Sequence, residues 1–256
     1  MRISTGLLTA AALFLSVASG SAEDTMKLKI GTEGAYPPFN TLSSNGTLEG
    51  FDVDIANALC AQMKADCELV AQDWDGIIPA LQAKKFDAII ASMSITEERK
   101  KQVAFTDKYY TTPLAVVALK DSGMTATDPA AMAGKSVGAQ AGTTQSMYAD
   151  DEYAKAGADV KSYPTQEEAV ADLINGRLDA VISDKFVLTD WLKGEGKDCC
   201  KMIGDVTGTE TEAGIAVRLG EDDLREKLNA ALKAIVADGT YAKIQAKYFD
   251  FDIYGG

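Results

Sequence analysis

No histidine occurs anywhere in the 256 residues. That absence excludes a Ser-His-Asp hydrolase, a Cys-His nucleophile and zinc held by imidazole. Basic residues are also scarce, with 25 Lys and Arg against 38 Asp and Glu and a net charge of −13. Such a surface is a poor match for a phosphate backbone, so no nucleic-acid partner is expected. An acidic surface also serves solubility, so its sign alone names no cationic ligand. After residue 22 nothing is long and apolar enough to span a bilayer. Cysteine is limited to Cys60, Cys67, Cys199 and Cys200, and neither pair has zinc-finger spacing. Neither a metal nor a cofactor is expected.

What is present begins with Arg2, an apolar run from Leu7 to Ala18, and the small residues Gly20, Ser21 and Ala22. This is the three-part pattern of a secretory signal peptide over residues 1–22, its apolar run shorter than the roughly 20 residues of a spanning helix. No Cys follows the small residues, so a free form in a Gram-negative periplasm is expected over a lipid-anchored one. In an oxidising compartment four Cys read as disulfides. Cys60 and Cys67 close a short loop and are the favoured bridge. The adjacent Cys199-Cys200 pair could be a vicinal disulfide or a reduced pair, and the sequence leaves both open.

The remaining length fits one large or two medium domains. Lys27-Leu28-Lys29-Ile30 alternates polar and apolar as a strand does, with Gly31 taken as its end. Pro37 and Pro38 predict an irregular stretch, and Asn45-Gly46 a turn. Val53, Ala56, Cys60 and Met63 recur as one face of a helix. A second helix is predicted over about Asp75 to Ala83, with Ile77, Ile78 and Leu81 inward, before a buried strand at Ala88-Ile89-Ile90. Strands alternating with helices predict an α/β fold with mostly parallel sheets flanked by helices.

The arrangement then repeats. Lys85-Phe86-Asp87-Ala88-Ile89-Ile90-Ala91-Ser92 is echoed by Arg177-Leu178-Asp179-Ala180-Val181-Ile182-Ser183-Asp184, and Lys29-Ile30-Gly31-Thr32-Glu33 by Ser136-Val137-Gly138-Ala139-Gln140. Two similar lobes are predicted. Ligands of open α/β sheets sit beyond the carboxyl ends of the strands, which places Glu33, Ser92, Gln140 and Asp184 where a ligand could be. Solvent at a strand end would explain any one of these polar residues, and less readily four at equivalent positions. Tyr109-Tyr110-Thr111-Thr112-Pro113 carries the chain out and Thr207-Gly208-Thr209 carries it back, forming a two-segment hinge. Helices are predicted from Asp223 to Asp238 and around Tyr241 to Tyr248. The first lobe is expected to comprise residues 23–112 and 209–256, and the second 113–208.

Ser92-Met93-Ser94-Ile95-Thr96-Glu97-Glu98-Arg99 joins a strand end to a helix start. Its hydroxyls and amides, with the Arg99 guanidinium, could clamp a carboxylate. Thr96 is equally a helix cap, the plainer use of that residue. Gly142-Thr143-Thr144-Gln145 offers a similar turn in the second lobe, where simple capping by a Thr competes. Asp184 suits an ammonium group and Glu33 a second, distal cation. Tyr36 and Trp74 could flank an alkyl chain or stack on a guanidinium, against the commoner role of core packing. Arg99 against Asp184 and Glu33 leaves a pocket with one net negative charge.

Over nearly its whole length after the leader the chain resembles the periplasmic lysine/arginine/ornithine- and histidine-binding proteins. The matching blocks are Gly31-Thr32-Glu33-Gly34-Ala35-Tyr36-Pro37-Pro38-Phe39, Gly50-Phe51-Asp52-Val53-Asp54, Phe86-Asp87-Ala88-Ile89-Ile90, Ser94-Ile95-Thr96 with Arg99, and Asp238-Gly239-Thr240-Tyr241. The resemblance implies the two-lobed type II periplasmic binding protein fold and capture of an amino acid for an inner-membrane ABC permease, without catalysis. It assigns the α-carboxylate to Arg99 and Ser94, the α-ammonium to Asp184, the second-lobe contacts to Thr143, Thr144 and Gln145, and aromatic contacts to Tyr36 and Trp74. It also matches Cys60 and Cys67 to the family's disulfide. Glu33 stands where Asp is common in the broad-specificity members, as in arginine-selective ones, so arginine leads over lysine, ornithine and histidine. Ala91 replaces a common Ser and, with Trp74 and Met93, resembles the opine-binding branch, which makes octopine or nopaline the alternative. Cyclohexadienyl dehydratases resemble the same proteins, so an enzyme using Glu33 or Asp184 as general acid is the alternative of another class. No exposed apolar stripe is evident, and a monomer is expected.

Overall fold

The computed structural model describes residues 25–255, so the signal peptide expected at 1–22 lies outside the described residues. The elements follow the order β1 (Lys27–Thr32), β2 (Ala35–Tyr36), β3 (Asn40–Leu42), β4 (Leu48–Glu49), α1 (Phe51–Met63), β5 (Asp66–Ala71), α2 (Ile77–Gln82), β6 (Ala88–Ile89), α3 (Glu97–Lys100) and β7 (Val103–Thr112). After Pro113 come β8 (Leu114–Leu119), β9 (Ser136–Gln140), α4 (Thr144–Tyr148), β10 (Asp159–Tyr163), α5 (Gln166–Ile174), β11 (Ala180–Asp184), α6 (Lys185–Lys193) and β12 (Cys200–Asp205). The chain closes with β13 (Thr211–Arg218), α7 (Asp222–Ala237) and α8 (Thr240–Tyr248).

Two five-stranded sheets organise the lobes, in the orders β5-β1-β6-β13-β7 and β10-β9-β11-β8-β12. The parallel pairing expected from alternating strands and helices joins β5, β1 and β6 in one and β10, β9 and β11 in the other. Two antiparallel strands widen each sheet. The internal repeat is visible in register: Ile30 pairs with Ala88 and Val137 with Ala180, the residues that the sequence echo equates. Its two aspartates act alike, Asp87 accepting from the Lys29 amide and Asp179 from the Ser136 amide. Both crossings are present, one from β7 through Pro113 into β8, the other from β12 back to β13.

Three local expectations change. Gly31 does not end β1, which continues to Thr32 opposite Ala71. The glycine is there because a Cβ would come within 2.6 Å of the Phe86 ring, so it serves close packing rather than a turn. The prolines at 37 and 38 lie in the turn of a small three-stranded sheet, β2-β3-β4, instead of an irregular stretch. In α2, Ile77, Ala80 and Leu81 are buried while Ile78 is only half-buried.

Apolar clusters cover both faces of each sheet. In the first lobe, one gathers Phe39, Phe51, Tyr109, Tyr110 and Phe249. Phe186 and Val187 from α6 join it, so the second lobe packs into the core of the first beside the crossings. Cys60 and Cys67 are bonded, tying α1 to β5, and Cys199 and Cys200 form a vicinal disulfide at the start of β12. Among the described residues no helix is long and apolar enough to cross a membrane.

Candidate functional site

The carboxyl ends of β1, β6, β9 and β11 converge on one cavity between the lobes, with about 380 Å³ of atom-free space. Glu33, Ser92, Gln140 and Asp184, the four strand-end residues, all line it. So do Tyr36, Trp74, Ala91, Ser94, Arg99, Thr143, Thr144 and Gln145. All twelve candidate ligand residues therefore lie in one place. Thr112, Leu114 and Thr211 complete the lining and were missed. They belong to the crossing segments, which sequence reasoning treats as linkers; their proximity to Pro113 and Thr209 was the available signal.

Arg99 sits in α3 and is buried against the cavity. Thr96 caps that helix, accepting from the Arg99 amide, and is not among the residues that line the cavity, so the plain reading of this residue is the one the structure bears out. The guanidinium donates to the Ser94 carbonyl at 2.9 Å and, across the cleft, to the Gly142 carbonyl at 3.2 Å. It also lies 5.2 Å from the centre of the Trp74 ring, a cation–π distance. Burial lowers its pKa to about 10, which leaves it charged at neutral pH. The Trp74 indole N–H donates to the same Gly142 carbonyl at 3.2 Å. Gly142 adopts φ +68°, a left-handed conformation that favours glycine and turns this carbonyl to the first lobe.

In the second lobe the Thr143 hydroxyl accepts from the Ser146 amide as a helix cap and donates its one proton to the Gln140 carbonyl, so it has no proton left for a carboxylate. Thr144 is the freer hydroxyl, 3.4 Å from that of Ser94. Gln145 donates its amide N–H to the Tyr36 hydroxyl, which also shares a hydrogen bond with Ser183. Tyr36 is thus both a core aromatic and a link between the lobes.

Asp184 ends β11 and caps α6, accepting from the Phe186 amide at 2.9 Å, the Thr112 hydroxyl at 2.7 Å and the Tyr110 hydroxyl at 3.3 Å. Burial raises its pKa to about 6, against the lowering effect of those donors. Glu33, also buried, accepts from the Gln140 amide. Burial first, then Glu167, Asp73 and Asp75, raise it to about 7 despite that hydrogen bond. Behind Ser92, Asp52 is fully buried and accepts from Asn40, Ser92 and Tyr109 at 2.7 to 3.0 Å. One cation and two buried carboxyls in the same cavity lining suit a zwitterion carrying an additional positive charge.

Residues 28–251 match the bacterial extracellular solute-binding proteins, family 3. The L-arginine-binding protein of Pseudomonas aeruginosa is 47% identical over 89% of this chain and 90% of its own. The histidine-binding periplasmic protein of Salmonella typhimurium is 40% identical over 95% of each chain. An ancestral arginine-binding protein bound to arginine superposes with a TM-score of 0.82 at 40% identity, covering 87% of this chain and 98% of that one.

Proposed function

The chain belongs to the bacterial extracellular solute-binding proteins of family 3, and from that premise we propose that it captures a cationic amino acid, arginine first, in the periplasm and delivers it to an ABC importer. The observation that carries this reading is the placement of Arg99, Asp184 and Glu33 around one buried cavity. Arg99 holds the α-carboxylate, helped by the hydroxyls of Ser94 and Thr144. Asp184 takes the α-ammonium, and Glu33 the charge at the far end of the side chain. Tyr36 and Trp74 flank the alkyl chain between them. The arginine-binding relatives support arginine over lysine, ornithine and histidine.

Binding without chemistry is what such a constellation does, and both carboxyls are accounted for as ion-pair partners. On this reading the first lobe comprises residues 23–112 and 209–256, the second 113–208, and the segments between them form the hinge. Ligand contacts from both lobes favour the closed form, which is the form the importer receives. The protein acts as a monomer.

Calorimetric titration of refolded, ligand-free protein tests the assignment with arginine, lysine, ornithine, histidine, octopine and nopaline. Submicromolar arginine binding and weak opine binding are expected. Arg99→Ala should abolish binding of every one of them, because it removes the contact they share. Tight opine binding would move the ligand to that class. No amino-acid binding, with turnover of prephenate or arogenate, would replace transport by catalysis.

A further inference from the structure

Gln140 ends β9 and is 1% exposed. Its side-chain nitrogen donates to two oxygens, a Glu33 carboxylate oxygen across the cleft and the Pro164 carbonyl at 3.2 Å. Both partners accept, so the amide has one workable orientation. Turned over, its oxygen would face the Pro164 carbonyl, which has no proton to give. In the workable orientation Oε1 is buried and has no hydrogen-bond partner among the described residues. Buried acceptors are nearly always satisfied, and this one belongs to a residue that lines the cavity.

We propose that the Gln140 amide oxygen makes the distal subsite select a guanidinium over an ammonium, by accepting an N–H that Glu33 leaves unused. The proposal rests on the cationic amino-acid reading and specifies the chemical group at the far end of the ligand. Because the Gln140 amide nitrogen donates to the Glu33 carboxylate, the two side chains present two acceptors, Oε1 and the carboxylate, held apart by that one donor. A guanidinium carries five N–H donors spread in one plane, so it can meet the carboxylate and still offer an N–H to Oε1. An ammonium is a compact group on a flexible stem with its three donors on one nitrogen. Drawn to the Glu33 charge, it leaves Oε1 without a donor. A site with an unmatched buried acceptor discriminates strongly against the ligand that fails to fill it.

The roles of the two side chains separate in a titration series. Glu33→Gln removes charge and is expected to weaken arginine, lysine and ornithine alike. Gln140→Met keeps the volume but removes the acceptor. It is expected to weaken arginine by roughly ten- to a hundredfold and lysine or ornithine by no more than about threefold, collapsing the preference. Gln140→Leu removes the same acceptor with a different side-chain shape and should collapse the preference in the same way; it serves as the second variant should Gln140→Met fold poorly. Equal weakening of arginine and lysine in Gln140→Met, or unchanged arginine affinity, overturns the proposal; a water satisfying Oε1 would produce the same result. If the unaltered protein binds no cationic amino acid, the underlying reading fails first, before any variant is measured.

Discussion

Asp52 is a carboxyl group with no salt-bridge partner among the described residues, fully buried and surrounded by three neutral donors. One of these, Ser92, has a backbone φ of +53°, unusual for a residue with a side chain. The Tyr109 hydroxyl accepts from the Ser92 amide while donating to Asp52, so hydroxyl, carboxylate and serine hold the turn together from both sides. Asp52 is therefore a positioning residue for the ligand turn. Asp52→Asn puts an amide N–H among groups that need an acceptor, and arginine affinity should fall about tenfold, or roughly 1.4 kcal/mol. Ser92→Gly in that background should recover most of the loss, because glycine holds a positive φ without support. Loss of affinity with no rescue would mean that Asp52 acts by some route other than the Ser92 backbone. At this scale the site was legible wherever the signal was a polar residue at a repeated strand end. Asp52 was invisible in that role because it lies forty positions from Ser92 and reads as an ordinary acidic residue in the first turn of α1.

At the scale of elements, α1 shows how a covalent tie and packing divide the work. Phe51, Ile55 and Leu59 are fully buried, and the Cys60–Cys67 bridge fastens the helix to β5. Loop-closure entropy over so short a loop predicts that replacing both Cys with Ala lowers stability by about 2 to 3 kcal/mol. Neither cysteine lines the cavity, so ligand affinity should stay within about twofold. Paired chemical denaturation and calorimetry would check both; a large affinity loss would show that α1 sets the site more tightly than its bridge position implies. The face of α1 read from Val53, Ala56, Cys60 and Met63 was correct but too narrow. Phe51 and Ile55 are buried as well, because the helix meets α7 and α8 in addition to its own sheet. Antiparallel strands were the least legible part. The second crossing ends in β13, whose neighbours β6 and β7 lie about a hundred residues or more upstream, a pairing that local pattern does not encode.

For the whole molecule, three carboxyls at or near the cleft set a pH dependence. Burial raises Glu33 to about 7 and Asp52 and Asp184 each to about 6, from ordinary values of 4.5 and 3.8. A raised folded-state pKa means that the folded chain holds its proton more firmly than the unfolded one. That stabilisation is fully present below the unfolded values and is lost as pH rises through 6 to 7. At about 1.4 kcal/mol per pKa unit, Glu33 alone contributes on the order of 3 kcal/mol. The ligand-free protein should therefore melt at a higher temperature at pH 5 than at pH 8. A cationic ligand reverses the preference, since its charges favour the ionised carboxyls. Arginine should bind on the order of a hundredfold more tightly at pH 8 than at pH 5, and release protons as it binds near pH 6.5. Calorimetry in buffers of different ionisation enthalpy reads that release directly. In Glu33→Gln both trends should weaken, leaving the share of Asp52 and Asp184. A ligand-free melting temperature that climbs from pH 5 to pH 8 would contradict the burial of protonated carboxyls in the cleft, and with it the electrostatic account of why a cation is chosen.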